Sequence, residues 1–417
     1  MNIIQSGSDF VPTCKYYRME VPLKSLASLG HNVASIKKVY NDPKVIQALF
    51  SADIAMMYMP TDTLNWHSLM HTAAEMNPVR MGDTWRYPPL FVYDADDNPS
   101  FISPFNEAFN VLGVRDTQGR QLKPGDTVMT KSAEGEDIVL WEDGVSRGND
   151  NVLFNIDENL LRERLRNGII KNCHGATACT KELATYFRDV VGQKNVHVYH
   201  NTIVPADYQF NIKTVRPGKP DEIRILWQGS QSHLVDWMPL KEAVGIVAKK
   251  YPNTKWIFMG LELPFIFDMI PVSQYEYIPW SHYDAYKLRR TLLHVDINLC
   301  PLLDNMFNRC KSAIKWYEST VSENTEATLA QNSGPYKEIT DGENGLLFNN
   351  AAEFVQKLSA LIEDAALRQR LGRNAKEWVW NNRLPQHTTP GLVDFFQDLK
   401  DQQAAKLTPK IIVGGTS

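Results

Sequence analysis

Short apolar runs of strand length alternate with helix-length amphipathic segments along most of this chain, and the series occurs twice. That alternation is the pattern of parallel sheets covered by helices, because each crossover needs a helix to return the chain to the same sheet edge. In the first series, "NIIQSG" reads as a strand ending at Gly7 and "RMEVPLKSLASLG" as a helix stopped by Gly30. "HNVASI" and "SADIAMMYMP" read as strands, the stretch from Trp66 to Met76 as a helix, and "PPLFVYDADDN" as a buried strand breaking into an acidic loop. A polar, proline-containing stretch from Thr202 to Asp221 reads as a linker. The second series then opens with "EIRILWQGS", continues through "WMPLKEAVGIVAKKY", "KWIFMG" and "VDINLCPL", and ends in "GENGLLFNNAAEFVQKLSALIEDAALRQRLGRNAKEWVW".

The expected fold class is therefore α/β, with one α/β domain over 1–205 and a similar one over 206–385, followed by a final segment over 386–417. Between about 101 and 148 the pattern changes to short alternating runs broken by Gly, Pro and Asp, which predicts a β-hairpin-rich insertion in the first domain. At 417 residues and 43% hydrophobic, the chain has material for two cores. Lys and Arg total 44 against 48 Asp and Glu, so overall charge calls for no polyanionic partner. No apolar run reaches membrane-spanning length and the N-terminus lacks a basic segment followed by a long apolar one, so a soluble, cytoplasmic protein is expected. Five scattered cysteines without a C-x-x-C pair speak against a disulfide framework or a structural zinc site.

The chemistry concentrates in "NRCKSAIKWYES", Asn308 to Ser319. Built as one helix, Lys311, Lys315 and Glu318 share a face, with Ile314, Tyr317 and Val321 on another. One reading is a solvated stripe of charge. The other starts from the preceding strand and polar loop, which set the amino end of the segment and Lys311 at the carboxyl edge of a parallel sheet, where anions bind. A diphosphate fits there, and Glu318 would accept from the vicinal hydroxyls of a ribose.

From these residues onward the chain resembles the retaining nucleotide-sugar glycosyltransferases of family 4, which have the GT-B fold. The likeness runs through "CKYYRMEVPLKSLASLGHNV" with Gly7 and Ser8 in the turn before it, "VYDADDN", "ACTKELATYF", "NVHVYHNTIVP", "RILWQGSQSHLVDWMPLKEAV", "FNRCKSAIKWYE" and "SGPYKEITDGENGLLF". "DDNPSFISPFNEAF" with its hairpin insertion is similar to versions carried by tailed phages, for which the location would be the host cytoplasm. The resemblance implies transfer of a sugar from a nucleotide-diphosphate donor to an acceptor hydroxyl, in the cleft between two Rossmann-like domains, with no metal and no permanently bound cofactor. It also implies that Lys311 and the Ser312 amide hold the diphosphate, that Gly229 and Ser230 face phosphates or sugar, and that Trp280 lies near the nucleobase. Core packing is the alternative account of Trp280. The late segment "WVWNNRLPQHTTPGLVDFFQDL" resembles a final helix crossing back to the first domain.

The chain departs from that family in places. Eight positions before Glu318, where many members carry a first glutamate, stands Cys310. Asn305 and Asn308 are then candidates for reading the sugar. The run "WQGSQSHLVDW" lacks the Arg and Lys often found there, which leaves the phosphate charge to Lys311 and Arg309; His233 and Asp236 would line the donor pocket or cap a helix. Asp94 and Asp96 invite a metal-chelating reading, an acceptor-orienting or base role, or simple capping of a strand end. His67 and His71 have i, i+4 metal spacing without further ligands in view. Surface glycans, proteins and DNA with hydroxymethylated pyrimidines are the acceptors considered. Rivals to the transferase reading are a nucleotide-sugar 2-epimerase and a non-catalytic binding protein of the same fold.

Overall fold

Two six-stranded sheets, each parallel throughout, carry the described fold. The structure, a computed structural model, describes residues 1–7, 12–36, 42–60, 62–131, 135–146, 152–210, 215–321 and 326–407. Ser8 lies outside the described residues.

The first sheet is built from β1 (Asn2–Gly7), β2 (Asn32–Ile36), β3 (Ile54–Tyr58), β6 (Leu90–Ala95), β9 (Gly175–Ala178) and β10 (Val196–Val198), in the order β10-β9-β6-β3-β1-β2. Strands β3 and β6 are buried at every position, which is why "IAMMY" and "LFVYDA" read as continuous runs rather than alternating ones. Gly7 is the last residue of β1, and a Cβ there would meet the Met19 sulfur and require the Met19 side chain to shift. Leu392, Phe396 and Leu399 of the helix Pro385–Leu407 pack with Ile3, Ile54, Met56, Leu90 and Val92, so this last helix completes the first core.

The second sheet comprises β11 (Ile223–Gly229), β12 (Thr254–Gly260), β13 (Tyr275–Pro279), β14 (Ile297–Cys300), β15 (Ala327–Gln331) and β16 (Leu346–Phe348), ordered β13-β12-β11-β14-β15-β16. Chain progression reverses direction between β11 and β14. In sheets of this kind, ligands bind outside the carboxyl ends of the two strands that flank such a reversal. Trp227, Trp237, Trp256 and Phe258 fill the core on one face of this sheet.

The chain forms two compact units: Met1–Ala95, Leu165–Tyr199 and the chain from Thr388 onward make one, and Asp96–Arg164 with His200–His387 make the other. The expected hairpin is present as β7 (Thr127–Lys131) against β8 (Asp137–Glu142). It belongs to the second unit, however, whereas the local sequence pattern places 101–148 in the first domain. Phe109, Trp141 and Phe154 pack on one another and, with Val128, belong to one buried cluster that also takes in Phe307, a residue of the second half of the chain. A small hairpin, β4 (Val79–Met81) with β5 (Thr84–Arg86), leaves no clear mark in the sequence because its strands are three residues long and largely exposed.

The stretch around Lys311 also differs from expectation. It is two short helices, Met306–Arg309 and Ile314–Ser319, separated by Cys310–Ala313. Lys311 therefore stands before the second helix and shares no helical face with Lys315 and Glu318. Lys315, Trp316, Tyr317 and Glu318 are all buried, which removes the solvated-stripe reading. Gly334, at φ +48°, presses against the backbone just before the break: a Cβ there would sit 2.8 Å from the Asn308 carbonyl oxygen.

Candidate functional site

The carboxyl end of β11 supplies Gln228 and Gly229, and the chain beyond β14 supplies Asn305 to Glu318. Gly229 must be small. A Cβ on it would meet the Trp227 ring at 2.5 Å, and its carbonyl oxygen lies 2.4 Å from where a side chain on Gly260 (φ +106°) would begin. Strands β11 and β12 are thus pressed together at their ends, and the Gly229 carbonyl accepts from the Leu261 amide at 2.8 Å. Ser230 follows, exposed, its Oγ 3.2 Å from that of Ser232.

Asn305 caps the helix Met306–Arg309, its Oδ1 accepting from the Asn308 amide at 2.9 Å. The Asn308 side chain turns inward and donates to Asp236 Oδ1 at 3.0 Å and to the Leu303 carbonyl at 3.0 Å. Asp236 is fully buried; it also accepts from the Leu303 amide at 2.9 Å and pairs with His233 Nδ1 at 2.8 Å. Asn305 and Asn308 therefore build the loop, and nothing places them against a sugar. His233 is neutral near pH 7, because burial, aided by the nearby Lys315 charge, pushes its imidazole down to about 4 against the pull of Asp236.

Beside this scaffold lie two lysines. Lys311 Nζ contacts Asp97 Oδ1 at 3.2 Å and stands 4.4 Å from the centre of the Phe307 ring. Lys315 is 9% exposed, its Nζ has no hydrogen-bond partner, and the Trp227 ring centre lies 5.5 Å away. Burial lowers its ammonium to about 8. An ammonium placed there without an anion is costly, and a phosphate oxygen is the kind of group that would relieve it. The neighbouring Ser312 hydroxyl accepts from Asn201 Nδ2 at 2.9 Å, tying the loop to the chain that leads into this unit.

One turn beyond Lys315, Glu318 is 2% exposed and caged by donors. Tyr208 OH reaches its Oε1 at 3.0 Å; Gln228 Nε2 and Tyr286 OH reach Oε2 at 2.7 and 2.5 Å. Sequence reasoning missed all three donors. Tyr208 sits in what reads as a linker, Tyr286 on a surface-patterned helix, and Gln228 inside an apolar strand, so no local spacing connects them to Glu318. The surroundings of Lys311 and Lys315 are likewise visible only in three dimensions: Asp97 is 214 positions from Lys311, and the ring beside Lys315 comes from β11.

Asp94, singled out from the sequence as a chemical group, has a different role. It is fully buried, with both oxygens engaged by Arg18, Oδ1 also accepting from Thr177 at 2.6 Å and Arg18 Nη1 donating to the Tyr199 carbonyl at 2.6 Å. A carboxylate so enclosed is the counter-ion of a buried arginine, which removes it as an acceptor base or metal ligand. Asp96 is buried in the second unit. Trp280 is 61% exposed, so core packing is not its role. His67 Nε2 lies 3.1 Å from the Leu165 carbonyl, and exposed His71 faces Glu75 at 3.6 Å, so the pair does not converge. Among the described residues, no group of three or more His, Cys, Asp or Glu is placed to hold a metal ion, and no helix is long and apolar enough to cross a membrane.

The sequence matches no protein-family model and no curated protein. Solved structures do match its fold. A glycosyltransferase from Rickettsia africae ESF-5 aligns with a TM-score of 0.58 at 10% identity over 96% of this chain and 98% of that one. HepE (Alr3699) of Anabaena, solved with UDP, aligns at 0.56 and 12% identity over 97% of this chain and all of the other. AviGT4, a glycosyltransferase involved in avilamycin A biosynthesis, aligns at 0.51 and 12% identity over 96% and 98%. At such identities the likeness is one of fold, and the fold is GT-B.

Proposed function

We propose that this chain is a glycosyltransferase that moves a sugar from a nucleoside-diphosphate donor to an acceptor hydroxyl. The observation that carries the reading is the buried, unpartnered Lys315 ammonium beside Lys311 at the carboxyl edge of β11 and β14. The shared fold supports it: HepE has been solved with UDP and with UDP-glucose, and a variant of S. aureus TarM with UDP. When the bond from the anomeric carbon to the diphosphate oxygen breaks, its electron pair stays on the diphosphate and negative charge grows there. Lys311 and Lys315 would stabilise that leaving group electrostatically.

Within this reading Glu318 faces the pentose, Gly229, Ser230 and Ser312 line the diphosphate, and Trp280 offers an aromatic face to the base. The family likeness favours retention of anomeric configuration without a metal, the two lysines meeting the phosphate charge. Asp96 is the acceptor-side candidate and Gly7 a donor-binding one, and, following the phage-like form, a surface glycan, a protein or hydroxymethylated DNA are the acceptor classes. The test is release of nucleoside diphosphate from a panel of sugar nucleotides, with and without acceptors. Turnover by the wild type that is lost in Lys311→Ala and Glu318→Ala is expected; a panel without turnover by any donor would refute the reading.

A further inference from the structure

Gln228, next to last in β11, is 3% exposed. Its Nε2 donates to Glu318 Oε2 at 2.7 Å. Chemistry fixes that orientation, since a carboxylate accepts and a turned amide would set one oxygen against another. The atom left over is Gln228 Oε1, which is buried and has no hydrogen-bond partner. A native interior rarely leaves such an acceptor unmatched, and where it does the atom calls for an explanation.

Glu318 shows why that oxygen matters. Three protein donors, from Tyr208, Gln228 and Tyr286, already engage its two oxygens. A carboxylate offers about four lone-pair sites. A vicinal diol therefore cannot hand both of its protons to Glu318 without displacing a protein donor; it needs a second acceptor adjacent to that carboxylate. Gln228 Oε1 belongs to the amide already bonded to Glu318, and it lies on the strand end where ligands of such sheets collect.

Resting on the donor-site reading, we propose that Gln228 is a specificity residue for the nucleotide's pentose. Its Oε1 accepts from one hydroxyl of the ribose diol while the other hydroxyl turns to Glu318, so the site selects ribonucleoside diphosphates over deoxy counterparts. The role is one of recognition, and no bond is made or broken at Gln228.

The test is calorimetric titration of the full chain with UDP, 2′-deoxy-UDP and 3′-deoxy-UDP, repeated with the GDP and ADP series. Against wild type, each missing hydroxyl is expected to weaken binding by about tenfold, the worth of one hydrogen bond. In Gln228→Met, the penalty for one of the two missing hydroxyls should vanish while the other persists. Equal binding of ribo and deoxy forms by the wild type would overturn the proposal with the donor site intact, and needs no variant. A uniform loss in Gln228→Met, leaving both penalties in place, would also overturn it, since that is what a purely structural glutamine would give. Failure of UDP, GDP and ADP alike to bind wild type would overturn the donor-site reading and this inference with it.

Discussion

Lys311 Nζ lies 3.2 Å from Asp97 Oδ1, an ion pair between the start of the hairpin-bearing segment and the loop after β14. Both side chains are partly exposed, so the pair is screened, yet a diphosphate approaching Lys311 must compete with Asp97 for it. Asp97→Asn is therefore expected to bind nucleoside diphosphate more tightly, by about three- to tenfold. Calorimetry on the two proteins measures this; equal or weaker binding by the variant would show that Asp97 does not oppose the ligand.

Lys315 makes a prediction with two opposite signs. Its folded-state pKa, about 8, lies below the ordinary lysine value of 10.5. Between those values the unfolded chain binds more protons than the folded one, so stability contributed by this residue rises with pH across that window. Lys315→Met should abolish that rise and stabilise the protein near pH 7 by about 1–3 kcal/mol, as replacement of a buried charge by an apolar chain does. The same substitution should weaken diphosphate binding. Denaturant melts at several pH values, paired with binding measurements, separate the two effects.

Arg18 and Asp94 should reveal themselves through stability alone. Arg18→Met leaves Asp94 buried without its counter-ion and should cost about 3–5 kcal/mol. Asp94→Asn should likewise destabilise while leaving turnover by the folded fraction near wild type. A variant that melts normally but loses turnover would restore a chemical role to Asp94.

Trp280 is exposed and carries little of the core. Trp280→Ala should change stability by less than about 1 kcal/mol while weakening nucleotide binding by about tenfold, the value of one aromatic stacking contact. A large fall in stability with unchanged binding would contradict the base-facing role.

Much of the fold is legible in the sequence because burial on both sides of a parallel sheet leaves continuous apolar runs: "SADIAMMYMP", "PPLFVYDADDN" and "EIRILWQGS" each contain a strand, at Ile54–Tyr58, Leu90–Ala95 and Ile223–Gly229. The site is legible only in part. Lys311, Lys315 and Glu318 stand out as charges in an apolar run, but their shared helical face does not exist, because the helix breaks at Cys310–Ala313, just after the Asn308–Arg309 backbone against which Gly334 packs. The hairpin-bearing segment belongs to the second unit through partners far along the chain, such as Phe307 in its core cluster and Lys311 on Asp97, and no local pattern reports such contacts. Asp94 reads as a chemical group for the same reason: its partner Arg18 is 76 residues away.

In the proposed site Lys311, Lys315 and Glu318 together hold a nucleoside diphosphate. The most direct test is calorimetric titration of UDP, GDP and ADP into wild type, Lys311→Ala, Lys315→Met and Glu318→Gln at pH 7. The expected result is one site in the wild type for at least one of the three nucleotides, weakened about tenfold or more in each variant. Binding of undiminished strength in all three variants would contradict it.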